Sequence, residues 1–111
     1  MGAAAGATGV MWYKGDAEGL YNAGLEDAWK ATKKACGTLN IDVYKEDGRD
    51  NMLERTLYGR TRGDEDRIKI SFESVTSKET RVTVRINIMG DKRMSSRIHE
   101  EIRRQINGSA S

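Results

Sequence analysis

The chain has 111 residues, 37% hydrophobic and 32% charged, with nineteen basic side chains against seventeen acidic and a net charge of +2. That length supports one core that buries roughly two thirds of the unfolded surface, and the charge is too balanced to argue for nucleic acid. No run approaches the roughly 20 apolar residues of a membrane span.

The single cysteine leaves no internal disulfide, and without proline every turn rests on Gly, Asn and Asp.

Residues 1–9 are small and low in complexity, and read as a flexible Gly/Ala-rich tether. The stretch lacks the basic start and the length of a signal peptide. It also lacks the preceding strand and the Gly-Lys-Ser/Thr ending of a phosphate loop. A single domain is expected over residues 10–106.

Val10–Asn22 reads as a first strand, with Tyr13, Ala17 and Tyr21 on one face beside Gly15 and Gly19. Leu25–Leu39 reads as a helix, because Leu25, Ala28, Trp29, Thr32, Ala35, Cys36 and Leu39 recur at i, i+3, i+4 and i+7. Gly24 is its N-cap and Asn40 its left-handed terminator. Trp29 is expected in the core, and Cys36 beside it reads as a small buried hydrophobe rather than a nucleophile.

Short strands follow at Ile41–Lys45, at Leu53–Arg60 with Leu53, Leu57 and Gly59 on one face, and at Arg67–Val75 with Ile68, Ile70 and Phe72 inward. Asp47, Asp50 and Asn51 miss the spacing of a calcium loop, and Asp64, Glu65 and Asp66 read as a solvated turn. Thr80–Met89 shows the cleanest alternation: Val82, Val84, Ile86 and Ile88 oppose Arg81, Thr83, Arg85 and Asn87. Such a strand covers one face and leaves the other wet.

Asp91 caps a last helix to about Ile106, with Met94, Ile98, Ile102 and Ile106 stepping by four. Residues 107–111 read as a frayed tail. Ser95 and His99 share this helix, but a nucleophile and base also need an orienting group and an oxyanion donor, so the pair reads as surface decoration. One histidine and one cysteine do not make a zinc site.

The resulting fold is α+β: a single antiparallel sheet of four to five strands, both helices on one face, in the order β-α-β-β-β-β-α. Its open face presents Tyr58, Arg67, Lys69, Arg81 and Arg85, among Glu54, Ser71, Glu73 and Thr83. These residues suit a partner-docking face or a cross-strand salt-bridge lattice with Glu73 and Glu54. Arg97, Arg103 and Arg104 make a second basic face on the last helix. No residue set suggests catalysis, a cofactor or a metal. A protein partner is the leading expectation, and binding of a polyanion, either nucleic acid or anionic lipid headgroups, is the alternative.

Several of these residues also carry a resemblance. The GAAAGATG leader, Tyr13-Lys14-Gly15, Tyr21 with Leu25, Trp29 and Ala31, Leu39-Asn40-Ile41, Leu53, Leu57, Gly59, Gly90-Asp91, Ser95, Ile98, His99 and Ile102 together resemble a family of small bacterial cell-envelope lipoproteins of unknown function. The resemblance runs from Gly2 to Ile106. It implies a periplasmic or outer-membrane-associated location, with membrane contact only through a lipidated N-terminal cysteine ahead of the leader. This chain has Met1 there, and Asn22 and Gly24 where a proline and a serine are commoner. The resemblance supplies no catalytic residues.

Overall fold

The computed structural model describes residues 9–110. The tether expected over residues 1–9 therefore lies, Gly9 apart, outside the described residues, as does Ser111. In chain order the elements are β1 (Met11–Tyr13), β2 (Asp16–Tyr21), α1 (Leu25–Thr38), β3 (Ile41–Asp47), β4 (Glu54–Thr61), β5 (Arg67–Thr76), β6 (Glu79–Ile86) and α2 (Lys92–Ala110). The strands form one antiparallel sheet, ordered β1-β2-β6-β5-β4-β3.

The fold is α+β, with six strands rather than four to five, in the order β-β-α-β-β-β-β-α. The extra strand comes from Lys14 and Gly15, whose φ angles of 50° and 91° put both in the left-handed region. Two such residues in succession make the tight hairpin turn that fits the twist of paired strands, so Tyr13 pairs with Asp16. Tyr13 consequently faces solvent, while Ala17 and Tyr21 face the core.

The alternation read from the sequence holds where the core is. Ile68, Ile70 and Phe72 of β5 lie beside Val82, Val84 and Ile86 of β6, all buried. Gly19 pairs with Val82 and Val82 with Phe72, so Tyr21, two residues on from Gly19, shares their face. Trp29 of α1 meets Phe72 edge-to-face at 5.1 Å, and His99 of α2 stacks on Tyr21 at 5.8 Å. Both helices therefore roof the same face, and they also pack on each other. Gly24 caps α1, and Asn40 turns left-handed just past its end at φ 59°. Asp91 Oδ1 accepts from the Met94 amide at the start of α2, which continues past Ile106 to Ala110.

Two apolar residues placed on the same strand faces as core residues are not buried with them. Ile88 is 79% exposed because β6 ends at Ile86, where Asn87 turns left-handed (φ 56°). Leu53, 67% exposed, precedes β4, and Arg55 takes the core position on that face. The Arg55 guanidinium lies 5.4 Å from the centre of the Trp29 ring and donates to Glu26 at 2.9 Å. Its aliphatic stem thus closes the core edge while its charge reaches a partner outside.

Candidate docking face on the open sheet

The strand register arranges the open face in rows. Arg60 pairs with Arg67; Tyr58 with Lys69, and Lys69 with Arg85; Thr56 with Ser71, and Ser71 with Thr83; Glu54 with Glu73, and Glu73 with Arg81. All five residues expected on the docking face, Tyr58, Arg67, Lys69, Arg81 and Arg85, are therefore brought together. They do not behave alike.

Arg81 and Arg85 are structural. Arg81 bridges Glu18 of β2 and Glu73 of β5, the latter at 2.6 Å. Arg85 donates to Asp16 at 2.9 Å, to the Lys14 carbonyl at 2.8 Å and to the Ile88 carbonyl. One guanidinium thus ties the first hairpin to the loop after β6. In the same place Gly90 has φ +85°, and an added Cβ would lie 2.6 Å from Gly15 Cα. The salt-bridge lattice exists, but Asp16 and Glu18 from the hairpin supply much of it, alongside Glu73. The Glu54 carboxylate makes no ion pair among the described residues.

The other half of the face is richer in bases, and its acid, Asp42 of β3 opposite Arg60, is ion-paired to Arg62 instead. Arg60, Arg67 and Lys69 make no ion pair among the described residues. Arg60 stands directly opposite Arg67, and Lys69 opposite Arg85, and like charges facing each other across strands are destabilising. Tyr44 and Tyr58 form one wall beside these cations, their rings 6.5 Å apart. Arg60 and Lys45 lie over those rings at 5.4 and 5.2 Å. Ile88 and Met89, the latter 84% exposed, form the other wall. The open groove between them measures about 680 Å³ and is also lined by Arg67, Lys69 and Arg85. That is within the 300–1,000 Å³ range of ligand clefts.

Sequence reasoning missed Tyr44, Arg60, Ile88 and Met89. The register shift between Val43 and Lys45 breaks the alternation that would have placed Tyr44. The exposure of Ile88 and Met89 follows from one left-handed asparagine.

The second basic face is weaker than its sequence suggests. Arg103 and Arg104 lie 4.0 and 3.7 Å from Glu100, and Arg104 is 3.5 Å from Glu101. Only Arg97 of that trio has no acidic partner among the described residues.

Ser95 and His99 are buried, not surface residues, at 0% and 2% exposure. His99 Nε2 lies 2.8 Å from the Ala17 carbonyl and Nδ1 2.6 Å from the Tyr21 hydroxyl. Nε2 therefore carries the proton, and the Tyr21 hydroxyl lies between two acceptors, Nδ1 and, at 3.0 Å, the His99 carbonyl oxygen. With both ring nitrogens occupied, this histidine has no nitrogen left to serve Ser95 as a base. Burial lowers the proton affinity of His99, and pushes the Tyr21 hydroxyl well above its ordinary pKa. Burial also pushes the Cys36 thiol up to about 12, which suits a core packing residue. Asn51, set beside Asp47 and Asp50 in the sequence, uses its side-chain oxygen to accept from the Leu53 and Glu54 amides. Among the described residues no group of three or more acids, histidines or cysteines is placed to hold a metal, and no helix is long and apolar enough to cross a membrane.

Fold and face together define a helix-roofed antiparallel sheet module with a charge-divided open side. The chain belongs to the family described as a protein of unknown function (DUF3568), whose pattern matches residues 1–105. No curated protein matches it.

Proposed function

We propose that this protein is a non-enzymatic docking module of the cell envelope that holds a protein partner against its open sheet face. The observation that carries the reading is the pair of adjacent like-charge contacts, Arg60–Arg67 and Lys69–Arg85, beside the Tyr44–Tyr58 wall. Arg60, Arg67 and Lys69, cations with no ion pair of their own among the described residues, stand next to exposed aromatic and apolar side chains and suit a partner that brings carboxylates and apolar contacts together. The face is a better docking surface than the sheet edges. Edge strand β1 has three residues, and edge strand β3 is broken by the irregularity at Tyr44, both features that blunt strand addition. The envelope location rests on the resemblance carried by the leader and the Tyr21…Leu25…Trp29 spacing.

The test is capture from envelope extract with wild type and with Arg67→Glu/Lys69→Glu. This variant spares the Arg81 and Arg85 ion pairs. Loss of specific captured proteins supports the reading; identical capture by both removes the face as the docking surface. Polyanion binding uses the same cations, and would instead show as nucleic acid or anionic vesicles bound at low salt and released steeply as salt rises. Glu54 and Glu73 on the same face work against it.

A further inference from the structure

We infer that the partner inserts an extended segment of alternating acidic and apolar residues into the groove between the Tyr44–Tyr58 wall and the Ile88–Met89 wall. The inference rests on the docking reading above and names the chemistry that the partner brings.

The two sides of the groove differ. On one, Lys45 lies over the Tyr58 ring at 5.2 Å and Arg60 over the Tyr44 ring at 5.4 Å, so the aromatic wall also carries positive charge. On the other, Ile88 and Met89 are exposed and carry none. Between them, on β5, Arg67 and Lys69 make no ion pair among the described residues. The lining holds three cations, Arg67, Lys69 and Arg85, against one carboxylate, Asp91. Asp91 accepts from the Met94 amide, and Arg85 is held by Asp16. Arg67 and Lys69 are therefore the charges left for a ligand, and they call for acids.

The apolar wall is fixed in place. Arg85 donates to the Ile88 carbonyl, and Gly90 packs so closely on Gly15 that an added Cβ would lie 2.6 Å from its Cα. Apolar side chains held outward on a pinned backbone are a contact surface, and one formed before the partner arrives spares the ordering cost of binding.

Width selects the conformation of the occupant. β4 and β6 flank β5, so their backbones lie two strand spacings apart, about 9.6 Å. A helix with its side chains is about 10–12 Å across and would ride above the groove; an extended chain enters it. Successive side chains of an extended chain point to opposite sides. Acids at every second position then face the cationic side, and the residues between them face Ile88 and Met89. Spacing agrees, because Arg67 and Lys69 are two residues apart on one strand, about 6.7 Å, the same repeat as alternate side chains of the ligand. A uniformly acidic chain would leave the Ile88–Met89 wall without a partner.

The test is fluorescence anisotropy of short labelled peptides of one length, titrated with the full chain at about 0.15 M salt to screen non-specific attraction. The peptides carry glutamate and valine alternating, the same residues in two blocks, glutamate throughout, or lysine and valine alternating. The alternating acidic peptide is expected to bind at least about tenfold more tightly than the block and all-glutamate peptides, and the lysine peptide not to bind. Arg67→Gln/Lys69→Gln and, separately, Ile88→Ser/Met89→Ser should each weaken the alternating peptide at least about tenfold. All four side chains are exposed, so these variants keep the core, and unchanged thermal unfolding verifies it. Three results overturn the inference: no binding of the alternating peptide, block or all-glutamate peptides that bind as well, or variants that bind it like wild type. A wild type that binds no peptide, yet loses its captured proteins on Arg67→Glu/Lys69→Glu, overturns the alternating segment alone and leaves the docking face standing.

Discussion

His99 should make the protein lose stability as the pH falls below neutral. It is the only histidine in the chain, so a transition near its ordinary pKa of 6.5 has one source among the side chains. In the fold its ring is buried, with Nε2–H given to the Ala17 carbonyl and Nδ1 held by Tyr21. A charge there would be stranded away from water, and that burial outweighs the hydrogen bond to the Ala17 carbonyl, which favours the proton. The folded state therefore resists the proton that the unfolded chain accepts. Below about pH 6.5 the unfolded state binds more protons, so stability falls with pH until the lowered folded pKa is reached. If His99 stays neutral in the fold, lowering the pH from about 7.5 to about 5.5 costs about 1.4 kcal/mol. Urea unfolding followed by tryptophan fluorescence measures this, with Trp29 buried in the core as reporter. His99→Gln, which keeps a donor for the Ala17 carbonyl, should flatten the profile. Equal slopes in both proteins, or folded-state imidazole signals titrating near 6.5, would refute the reasoning.

Three further perturbations check the packing. Arg55→Ala should cost roughly 1–3 kcal/mol and Arg55→Met clearly less, because filling the buried position matters more than the charge; Glu26→Gln, on an exposed partner, should cost below about 1 kcal/mol in the same denaturation series. Gly90→Ala combines a left-handed backbone with a Cβ 2.6 Å from Gly15 Cα, so it should destabilise by at least about 1–2 kcal/mol in thermal unfolding. Cys36, with its thiol pushed up to about 12, should resist a thiol reagent at mildly alkaline pH and react at once in denaturant; rapid native labelling would contradict its burial.

Much of the frame was legible because local pattern and tertiary demand agree. The alternating runs of β5 and β6 and the α1 stripe through Trp29 and Cys36 carry their own periodicity, and only the end of β6, read to Met89, falls short at Ile86. The misreadings occur where a single backbone conformation or a distant partner decides. Lys14 adopts a left-handed φ that its residue type does not advertise, and the turn it forms splits the first strand in two. Asn87 does the same after β6 and turns Ile88 outward. Arg55 enters the core through Trp29 and Glu26, and His99 through Tyr21, 78 residues away. Helical spacing alone left that histidine reading as surface decoration. The open sheet face was visible as a set of residues, but its division into tied and free cations was not. That division depends on Asp16 and Glu18, which reach the sheet only because the first hairpin exists.

The docking claim is tested most directly by lysine labelling of the free protein and of its partner-bound complex, with modification read residue by residue. Lys69 on the open sheet face should be protected in the complex, while Lys30 and Lys34 on the exposed side of α1 keep their reactivity. Protection of Lys30 and Lys34 with Lys69 unchanged would place the partner on the helical roof and contradict the account.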